Sequence, residues 1–558
     1  MHQACRERAG GNETVNPFKK YFMMSPLILM LWICIAVPHI LFAQYNINVI
    51  IPKPQKLIKG SGEFQLNKQS RYRSDTPLAD NAIRYLQEHL KRNADYSLKK
   101  ETISTKNTIR FHYNTKKIRK PEAYRLRIDK EQISIEARDR AGFFYAVISL
   151  MQLMDPAIWR NAKGRKIRQW QISSCTIEDY PRYRWRGMML DVSRNFFSNA
   201  YIKKFIDRMA QQKLNRFHWH LTDDEGWRIE IKKYPLLTKV GAKRGPGTKL
   251  PFSTFPAMRG PKNRIQSGYY TQSDIREIVA YAKARSIEIL PEIDMPGHSK
   301  AAITAYSKLL QDPKDKSRYH SVQRVSNNTI NPGMDSTYIF LDNVITEVSR
   351  LFPFGYIHLG GDEVPKGAWS GSPAVKELMR KKGLKHTREI QNYFFGRMDS
   401  ILAKHGKKMI AWQEVLSGKP RLRQGDIFMA WKSPKAGFKI IKKHRNAIMA
   451  PVQYLYFDQQ YVRSKKEPGH TWSTPVSTRK TYSFNPGSSR YLKGVQACLW
   501  SETLLNEKIA DYLAWPRSFA LSEVAWTEQK RRNWKDFRKR VKNRGLKRLQ
   551  IQNIHYRP

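Results

Sequence analysis

Cysteine is scarce in this chain of 558 residues, which contains only Cys5, Cys34, Cys175 and Cys498. So small a number excludes the disulfide framework that holds many small secreted domains together. If an N-terminal export signal is removed, only Cys175 and Cys498 remain. The sequence leaves open whether these two pair after export or stay as free thiols.

Acidic residues are also few: 47 Asp and Glu stand against 101 Lys and Arg, which gives a formal net charge of +54. Three explanations compete for this excess. It can serve nucleic-acid binding, it can attract polyanionic glycans or an anionic cell surface, or it can be a compositional habit of the source organism. The basic residues are spread along the whole chain, and no nucleic-acid-binding module is recognisable. We therefore expect no nucleic-acid partner and take the compositional explanation as the default.

Long apolar runs are missing beyond the first 44 residues, and no later segment is apolar enough to span a bilayer. Within residues 1–44, Lys19 and Lys20 precede an apolar stretch at 27–37, and the small residue Ala43 follows. This order is typical of a secretory signal peptide cleaved after Ala43. The sequence therefore predicts an exported protein, periplasmic or secreted. Pro38 interrupts the run, so we expect membrane contact only if the segment stays uncleaved.

Residues 45–180 have the pattern of a small α+β domain. Apolar and polar residues alternate over 123–128 and 132–137, with a turn at 129–130. Such alternation predicts half-buried strands. Apolar residues on helical spacing follow over 143–154. We find no catalytic constellation in this part of the chain.

Residues 181–530 alternate short apolar strands with amphipathic helices, and residues 531–558 form a basic C-terminal helix and tail. Eight strand–helix units in this length predict a (β/α)8 TIM barrel with long loops. The predicted strands cover 187–192, 216–221, 287–293, 356–360, 409–412, 427–431, 448–454 and 495–500. Among the predicted helices are 201–212, 271–285, 338–351 and 390–405.

Polar and aromatic residues gather where these strands end, which is where such barrels place their active sites. In chain order these residues are Asp191 and Arg194 (with Arg186 at the strand start), His218 to Asp224, Glu292 to His298, His358 to Glu363, Trp412, Trp431, Tyr454 to Asp458, and Trp500 with Glu502. The sequence therefore predicts one active site at one mouth of the barrel.

Five motifs at these strand ends resemble the family 20 glycoside hydrolases, the β-N-acetylhexosaminidases. They are RGMMLD at 186–191, FHWHLTDD at 217–224, PEIDMPGH at 291–298, HLGGDE at 358–363 and LWSE at 499–502. Together they cover about residues 181–526, and their shared order is more specific than any single motif. The AGFFYA segment at 141–146 resembles the α/β domain that precedes the barrel in this family.

The resemblance implies exo-acting, retaining hydrolysis of terminal β-linked N-acetylhexosamine, GlcNAc or GalNAc, without a metal or cofactor. It assigns Glu363 as the general acid and base. Asp362 would hold the acetamido N–H while the substrate's own carbonyl oxygen attacks, as in the substrate-assisted families. Tyr456 would orient that carbonyl, although Tyr454 is close enough for the alignment to slip. A catalytic acid working near neutral pH needs a raised pKa, so we expect one for Glu363.

The same resemblance implies the substrate-binding residues. Trp412, Trp431 and Trp500 would surround the acetamido methyl group and the sugar ring. Arg186 and Glu502 would clamp the hydroxyls of the terminal sugar, and Asp458 would bind a ring hydroxyl. Asp223 and His298 are implied as supports of the acid pair, Asp362 and Glu363.

Other functions remain to be weighed. His218-x-His220 at a barrel strand end is also how a metal-dependent amidohydrolase begins. Against that reading, Trp412, Trp431 and Trp500 stand at strand ends where further metal ligands would be needed. A non-catalytic carbohydrate-binding barrel and a disaccharide-releasing relative are further alternatives. The sequence leaves the choice between GlcNAc and GalNAc, the natural glycan and the oligomeric state open.

Overall fold

The computed structural model describes residues 47–558 except 104–105, 161–163, 165, 251–264 and 419. The predicted signal peptide therefore lies outside the described residues. Within them, each helix is too short or too polar to cross a membrane.

The first domain is built on one mixed sheet of seven strands in the order β1-β7-β5-β6-β4-β2-β3. The strands are β1 Lys56–Leu66, β2 Arg71–Ser74, β3 Lys99–Lys100, β4 Thr108–Tyr113, β5 Tyr124–Ile128, β6 Gln132–Ala137 and β7 Trp170–Asp179. Helix α2, Arg140–Leu153, packs on this sheet, and helix α1, Asp80–Ala94, packs on α2. The predicted hairpin forms as β5 and β6, because the alternating apolar residues of β6 are buried. The predicted α+β domain is confirmed.

The second part is a closed barrel of eight parallel strands in the order β8-β9-β13-β14-β15-β16-β17-β18, with β18 pairing back to β8. Its strands are β8 Trp185–Asp191, β9 Arg216–Asp223, β13 Glu288–Ile293, β14 Tyr356–His358, β15 Lys408–Trp412, β16 Ile427–Ala430, β17 Asn446–Met449 and β18 Leu492–Leu499. Short strands lie in the loops: β10 Gly226–Trp227 turns back to pair antiparallel with the end of β9, and β11 Lys243–Arg244 pairs with β12 Gln266–Ser267. The predicted (β/α)8 barrel is confirmed.

Helices follow most of the strands, and several of them begin at polar caps. Thr271 and Asp274 form a capping box at the start of α5, for example. The helices are α3 Asn199–Ala210, α4 Leu236–Lys239, α5 Gln272–Lys283, α6 Lys300–Ala305, α7 Ser307–Leu310, α8 Asp335–Leu351, α9 Pro373–Lys382, α10 Thr387–Lys404, α11 Pro434–Lys442, α12 Val452–Leu455, α13 Thr478–Ser483, α14 Glu507–Ala514 and α15 Arg517–Trp526. One predicted strand is too long: β17 ends at Met449, and Pro451 precedes the single turn of α12.

The basic C-terminal segment folds back as helix α16, Trp534–Arg540, a π-helical turn, Val541–Gly545, and helix α17, Leu546–Ile551. Arg540 is buried and donates to both carboxylate oxygens of Glu523 in α15, at 2.8 and 2.7 Å. Part of the positive charge therefore has a structural role. Cys175 in β7 and Cys498 in β18 are both buried and free, so they do not form the disulfide that the sequence left open.

Candidate active site

The backbone after β14 turns sharply to present the acid pair. Gly360 and Gly361 both have positive φ, at 64° and 96°, which favours glycine. A Cβ atom on Gly360 would lie 1.6 Å from Oδ1 of Asp294, so the turn passes directly over that carboxylate. The Gly361 amide donates to the same oxygen at 3.3 Å. Glu363 also has a positive φ, 46°, an uncommon conformation for a residue with a side chain.

The acid pair faces a cavity of about 270 Å³ at the C-terminal mouth of the barrel. This is the position that the barrel architecture predicts for an active site. The residues lining it are Arg194, His298, Val322, Gln323, Asp362, Glu363, Trp431, Tyr456, Asp458, His470, Trp472, Trp500 and Glu502. Strand ends far apart in the sequence thus converge on one mouth.

His298 lies between the acid pair and a buried carboxylate. Its Nε2 is 3.7 Å from Oε2 of Glu363 and 4.0 Å from Oδ2 of Asp362. Its Nδ1 donates to Oδ1 of Asp223 at 3.0 Å. Gln323 Nε2 donates to Glu363 Oε2 at 3.2 Å. Oδ1 of Asp362 has no hydrogen-bond partner among the described residues, so it is available to a donor on a ligand.

The two acids of the pair differ in proton affinity, and in the direction opposite to our expectation. Burial, with the nearby Glu363 charge, raises the pKa of Asp362 to about 8. Burial acts on Glu363 too, but hydrogen bonds and the charge of His298 outweigh it and lower the pKa of Glu363. The charge on Asp223 holds the pKa of His298 well above its ordinary value despite burial, so His298 is a cation. This cation lies nearer to Glu363 than to Asp362. The proton of the ligand-free pair therefore resides on Asp362.

Arg194 compensates the acidic mouth. Its guanidinium lies 2.7 Å from Asp223 Oδ2 and 3.0 Å from Glu225 Oε2, and its side chain is 3% exposed. Despite burial, these carboxylates hold the pKa of Arg194 well above its ordinary value. Its charge and that of His470 hold the pKa of buried Glu502 at about 2, so Glu502 is a carboxylate.

Three aromatic side chains, Trp431, Tyr456 and Trp500, form one side of the cavity, which we call the aromatic wall. Trp431 and Tyr456 stack with centroids 6.1 Å apart and an interplanar angle of 22°. Tyr456 and Trp500 lie 6.3 Å apart. Glu414 holds the Trp431 indole by accepting from its Nε1 at 3.1 Å. Flat apolar faces of this kind suit a sugar ring and a methyl group.

Charged groups line the remainder of the cavity. Glu502 Oε2 lies 3.5 Å from His470 Nε2. Oδ1 of Asp458 is buried without a hydrogen-bond partner among the described residues, and burial raises the pKa of Asp458 to about 7. A ligand with several hydroxyls would supply the missing partners.

The assignment of Arg186 to substrate binding is wrong. Arg186 lies at the start of β8, the end of the barrel opposite the cavity, and its side chain is 0% exposed. It pairs with Glu122 of the first domain at 2.8 Å and donates to the Tyr145 hydroxyl at 3.0 Å. The arginine that reaches the cavity is Arg194, which follows the end of the same strand.

The position of Trp412 also differs from its assignment, and one ambiguity is resolved. Trp412 does not line the cavity but packs behind Trp500, with centroids 6.0 Å apart. Asp223, which the resemblance implies as a support of the acid pair, is buried and contacts Arg194 and His298 without lining the cavity. Tyr456 lines the cavity, whereas Tyr454 stacks on Phe484 elsewhere.

Besides Arg194, four cavity residues were missing from the sequence assignment: Val322, Gln323, His470 and Trp472. All four lie in long loops, after β13 and after β17, where no periodic pattern fixes position. Trp472 is 55% exposed and meets Tyr456 edge-on at 6.2 Å. An isolated tryptophan in a polar loop was the one available signal for this group.

The histidines of the His218-x-His220 motif surround Glu292 instead of an open site. His218 Nε2 lies 3.0 Å from Glu292 Oε2, His358 Nδ1 lies 2.7 Å from Oε1, and His220 Nδ1 contacts Oε2. Glu292 accepts hydrogen bonds from His220 and from the Trp412 indole, so the motif belongs to a buried polar cluster beneath the cavity.

The family models agree with this geometry. The catalytic-domain model of glycosyl hydrolase family 20 matches residues 183–529, and the domain 2 model of that family matches residues 48–180. The chain belongs to glycosyl hydrolase family 20. The family was thus correctly recognised from the five motifs.

Similar proteins include a β-hexosaminidase of Porphyromonas gingivalis, 36% identical over 91% of this chain and 64% of that protein. Another is a β-hexosaminidase of Vibrio furnissii, 34% identical over 85% of this chain and 76% of that protein. A solved exo-β-N-acetylglucosaminidase of Vibrio harveyi, in complex with N-acetylglucosamine, superposes with a TM-score of 0.85 at 34% identity, covering 92% of this chain and 79% of that one. This chain therefore spans about two thirds of the Porphyromonas protein's length.

Proposed function

We propose that this family 20 enzyme removes terminal non-reducing β-linked N-acetylhexosamine from glycans, with retention of configuration and with the substrate's acetamido group as nucleophile. The cavity supports this most directly. It has room for about one sugar, presents an acid pair at its mouth and places the aromatic wall beside them. The names of the relatives support the same activity.

In the first step, the acetamido carbonyl oxygen attacks C1 while Glu363 gives its proton to the departing glycosidic oxygen. The C1–O bond breaks and a bicyclic oxazoline forms. Asp362 accepts a hydrogen bond from the acetamido N–H and stabilises the positive charge, using its unpartnered Oδ1. In the second step, water attacks C1 as Glu363 takes up its proton. The bond between C1 and the oxazoline oxygen breaks, which restores the acetamido group, and the sugar leaves with its original configuration.

Substrate binding also adjusts the acid pair. In the ligand-free site the proton resides on Asp362, because burial raises the pKa of that carboxyl to about 8. An acetamido N–H pointing at Asp362 favours its ionised form, and a carboxylate at Asp362 in turn raises the proton affinity of Glu363. The arriving substrate thus moves the proton to the residue that must donate it.

The sugar hydroxyls are bound at the polar side of the cavity. Arg194, in place of Arg186, forms the clamp with Glu502, and the Asp458 carboxyl adds an acceptor. A guanidinium beside a carboxylate suits neighbouring hydroxyls, because one donates where the other accepts. This predicts recognition of the free non-reducing end and therefore exo action.

Export to the periplasm or the cell surface is part of the proposal. It is supported by the order of Lys19, Lys20, the apolar stretch at 27–37 and Ala43. N-terminal sequencing of the protein from fractionated cells would test it. A mature chain beginning after Ala43 is expected, and a full-length chain in the cytoplasmic fraction would contradict export.

Hydrolysis of a panel of aryl β-glycosides tests the activity. We expect turnover of β-GlcNAc, β-GalNAc or both, and none of β-glucosides, which lack the acetamido nucleophile. Glu363→Gln should lose activity on substrates with poor leaving groups, and NMR should show the β anomer as first product.

Three outcomes would overturn the proposal in different ways. Full activity of Glu363→Gln on unactivated substrates would contradict the assignment of the acid. No turnover of any monosaccharide glycoside, with release of an intact disaccharide, would indicate a disaccharide-releasing enzyme. Binding of GlcNAc with no hydrolysis at all would indicate a non-catalytic carbohydrate-binding barrel.

A further inference from the structure

Glu292 is a fully buried carboxylate one layer beneath the cavity, and the proposed reaction makes no use of it. Strand register brings it level with His220 on β9 and His358 on β14. His218, His220, His358 and Trp412 each direct a ring nitrogen at its two oxygens, and we call these five residues the Glu292 network.

The first connection of Glu292 leads to the aromatic wall. Trp412 Nε1 donates to Glu292 Oε1 at 3.0 Å, and the Trp412 ring packs against Trp500. His220, on the other oxygen, meets the Trp500 ring edge-on with centroids 4.9 Å apart. Two of the side chains that pack against Trp500 are therefore anchored on the same carboxylate.

The second connection leads to the acid pair. His220 Nε2 donates to Oδ2 of Asp223 at 2.8 Å while its Nδ1 contacts Glu292. Asp223 then accepts from His298, which stands 3.7 Å from Glu363. Carboxylate and imidazole thus alternate from Glu292 to Glu363, and they are joined by hydrogen bonds as far as His298.

The charges in this series support one another. Burial opposes ionisation of Glu292, but the neighbouring imidazoles outweigh it and hold the pKa of Glu292 well below its ordinary value. Burial likewise disfavours the His220 cation, but Glu292 and Asp223 raise the pKa of His220 well above its ordinary value. His220 is therefore an imidazolium that donates at both nitrogens.

We propose that Glu292 is a positioning residue for both the aromatic wall and the acid pair. Through Trp412 and His220 it fixes Trp500 in the aromatic wall. Through His220 and Asp223 it fixes His298 beside Glu363. The inference rests on the proposed function and adds to it a residue that touches neither substrate nor the acid pair.

Glu292→Gln distinguishes the connection to the aromatic wall from the connection to the acid pair, because an amide has one accepting atom and one donating atom. Trp412 Nε1 only donates, so the Gln oxygen must stay on the Trp412 side and its NH2 must face His218 and His220. His218 Nδ1 already accepts from Gln496 at 2.9 Å, which leaves its Nε2–H pointing at that NH2. The His220 cation is lost, and the damage falls on the branch that leads to Glu363.

The test measures kcat/KM on aryl β-N-acetylglucosaminides whose phenol leaving groups span a wide range of acidity. For Glu292→Gln we expect a loss of about 10- to 100-fold on the least acidic phenol, since a hydrogen bond to a charged group is weakened. The loss should shrink toward the most acidic phenol, which needs little protonation. His220→Gln should steepen the dependence in the same direction, whereas Trp412→Phe should weaken GlcNAc binding without steepening it.

Glu523→Gln is the matched control, because Glu523 is also buried and accepts several hydrogen bonds but lies outside the Glu292 network. It should leave the leaving-group dependence unchanged. The inference is overturned if folded Glu292→Gln and His220→Gln both keep the wild-type dependence. A wild-type protein that hydrolyses none of these glycosides contradicts the proposed function itself, which is a separate result.

Discussion

Asp362→Asn should impair catalysis and stabilise the fold, two effects of opposite sign from one substitution. The carboxylate faces the positive charge that develops on the acetamido group, and Oδ1 of Asp362 has no other partner among the described residues. Removing one preorganised group of this kind costs about 10²- to 10³-fold in rate. We expect that loss in kcat/KM on a 4-nitrophenyl β-N-acetylhexosaminide.

The stability effect follows from the pKa of Asp362, which rises from 3.8 to about 8 on folding. Between these pH values the native state retains a proton that the unfolded chain has released, so the free energy of unfolding falls as pH rises. Asparagine carries no such proton. The stability of Asp362→Asn relative to wild type should therefore grow from pH 4 to pH 8, by at most about 1.4 kcal/mol per pH unit.

Both quantities are measurable on the same preparations, by steady-state kinetics and by urea unfolding at several pH values. Asp399→Asn is the control, because Asp399 is buried against Arg423 at 2.7 Å and outside the cavity. It should keep its activity and lose stability. The reasoning is refuted if Asp362→Asn keeps a tenth of the wild-type kcat/KM, or if its stability relative to wild type falls with rising pH.

Three further substitutions test the structure. Glu122→Gln should lower the free energy of unfolding by about 3–5 kcal/mol, because it leaves the buried Arg186 cation unpaired. Its KM should equal that of the wild type. A raised KM in folded protein would indicate that Arg186 binds substrate after all. Arg194→Met should lower both stability and activity in thermal and kinetic assays, since buried Asp223 and Glu225 lose their cation; unchanged activity would contradict its place in the cavity. Gly360→Ala should nearly abolish activity because its Cβ meets Asp294, while Gly355→Ala, with open space around it, should not. Equal activities of the two variants would contradict the close approach of the Gly360 backbone to Asp294.

The barrel was predictable because buried strands and amphipathic helices leave distinct periodic patterns, and the strand ends then group the polar residues. Arg186 shows where this reasoning fails. It belongs to a family motif, but its position along the strand decides which end of the barrel its side chain reaches. Arg186 is near the N-terminal end of β8, opposite the cavity. Arg194 is three residues beyond the end of the strand, where position depends on the loop conformation.

The sequence also could not predict which acid of the pair carries the proton. Two adjacent acids shift each other's pKa because they are close together. Which of the two pKa values is raised depends on which carboxyl lies nearer a cation. His298 is 3.7 Å from Glu363 and 4.0 Å from Asp362, and Gln323 donates a hydrogen bond to Glu363. Gln323 and His470 come from long loops, whose three-dimensional course leaves no periodic signal in the sequence.

The ion pair between Glu122 and Arg186 has a consequence for engineering. A second pair, Asp179 with Lys213 at 2.9 Å, also joins the first domain to the barrel, and both cations are fully buried. A barrel excised from residue 183 onward would keep both cations but lose both counter-ions, together with the first-domain side chains Tyr145 and Tyr124 that contact them. Designers who want a minimal catalytic module must therefore replace Arg186 and Lys213 with neutral side chains, or graft the two carboxylates into whatever domain they attach in its place.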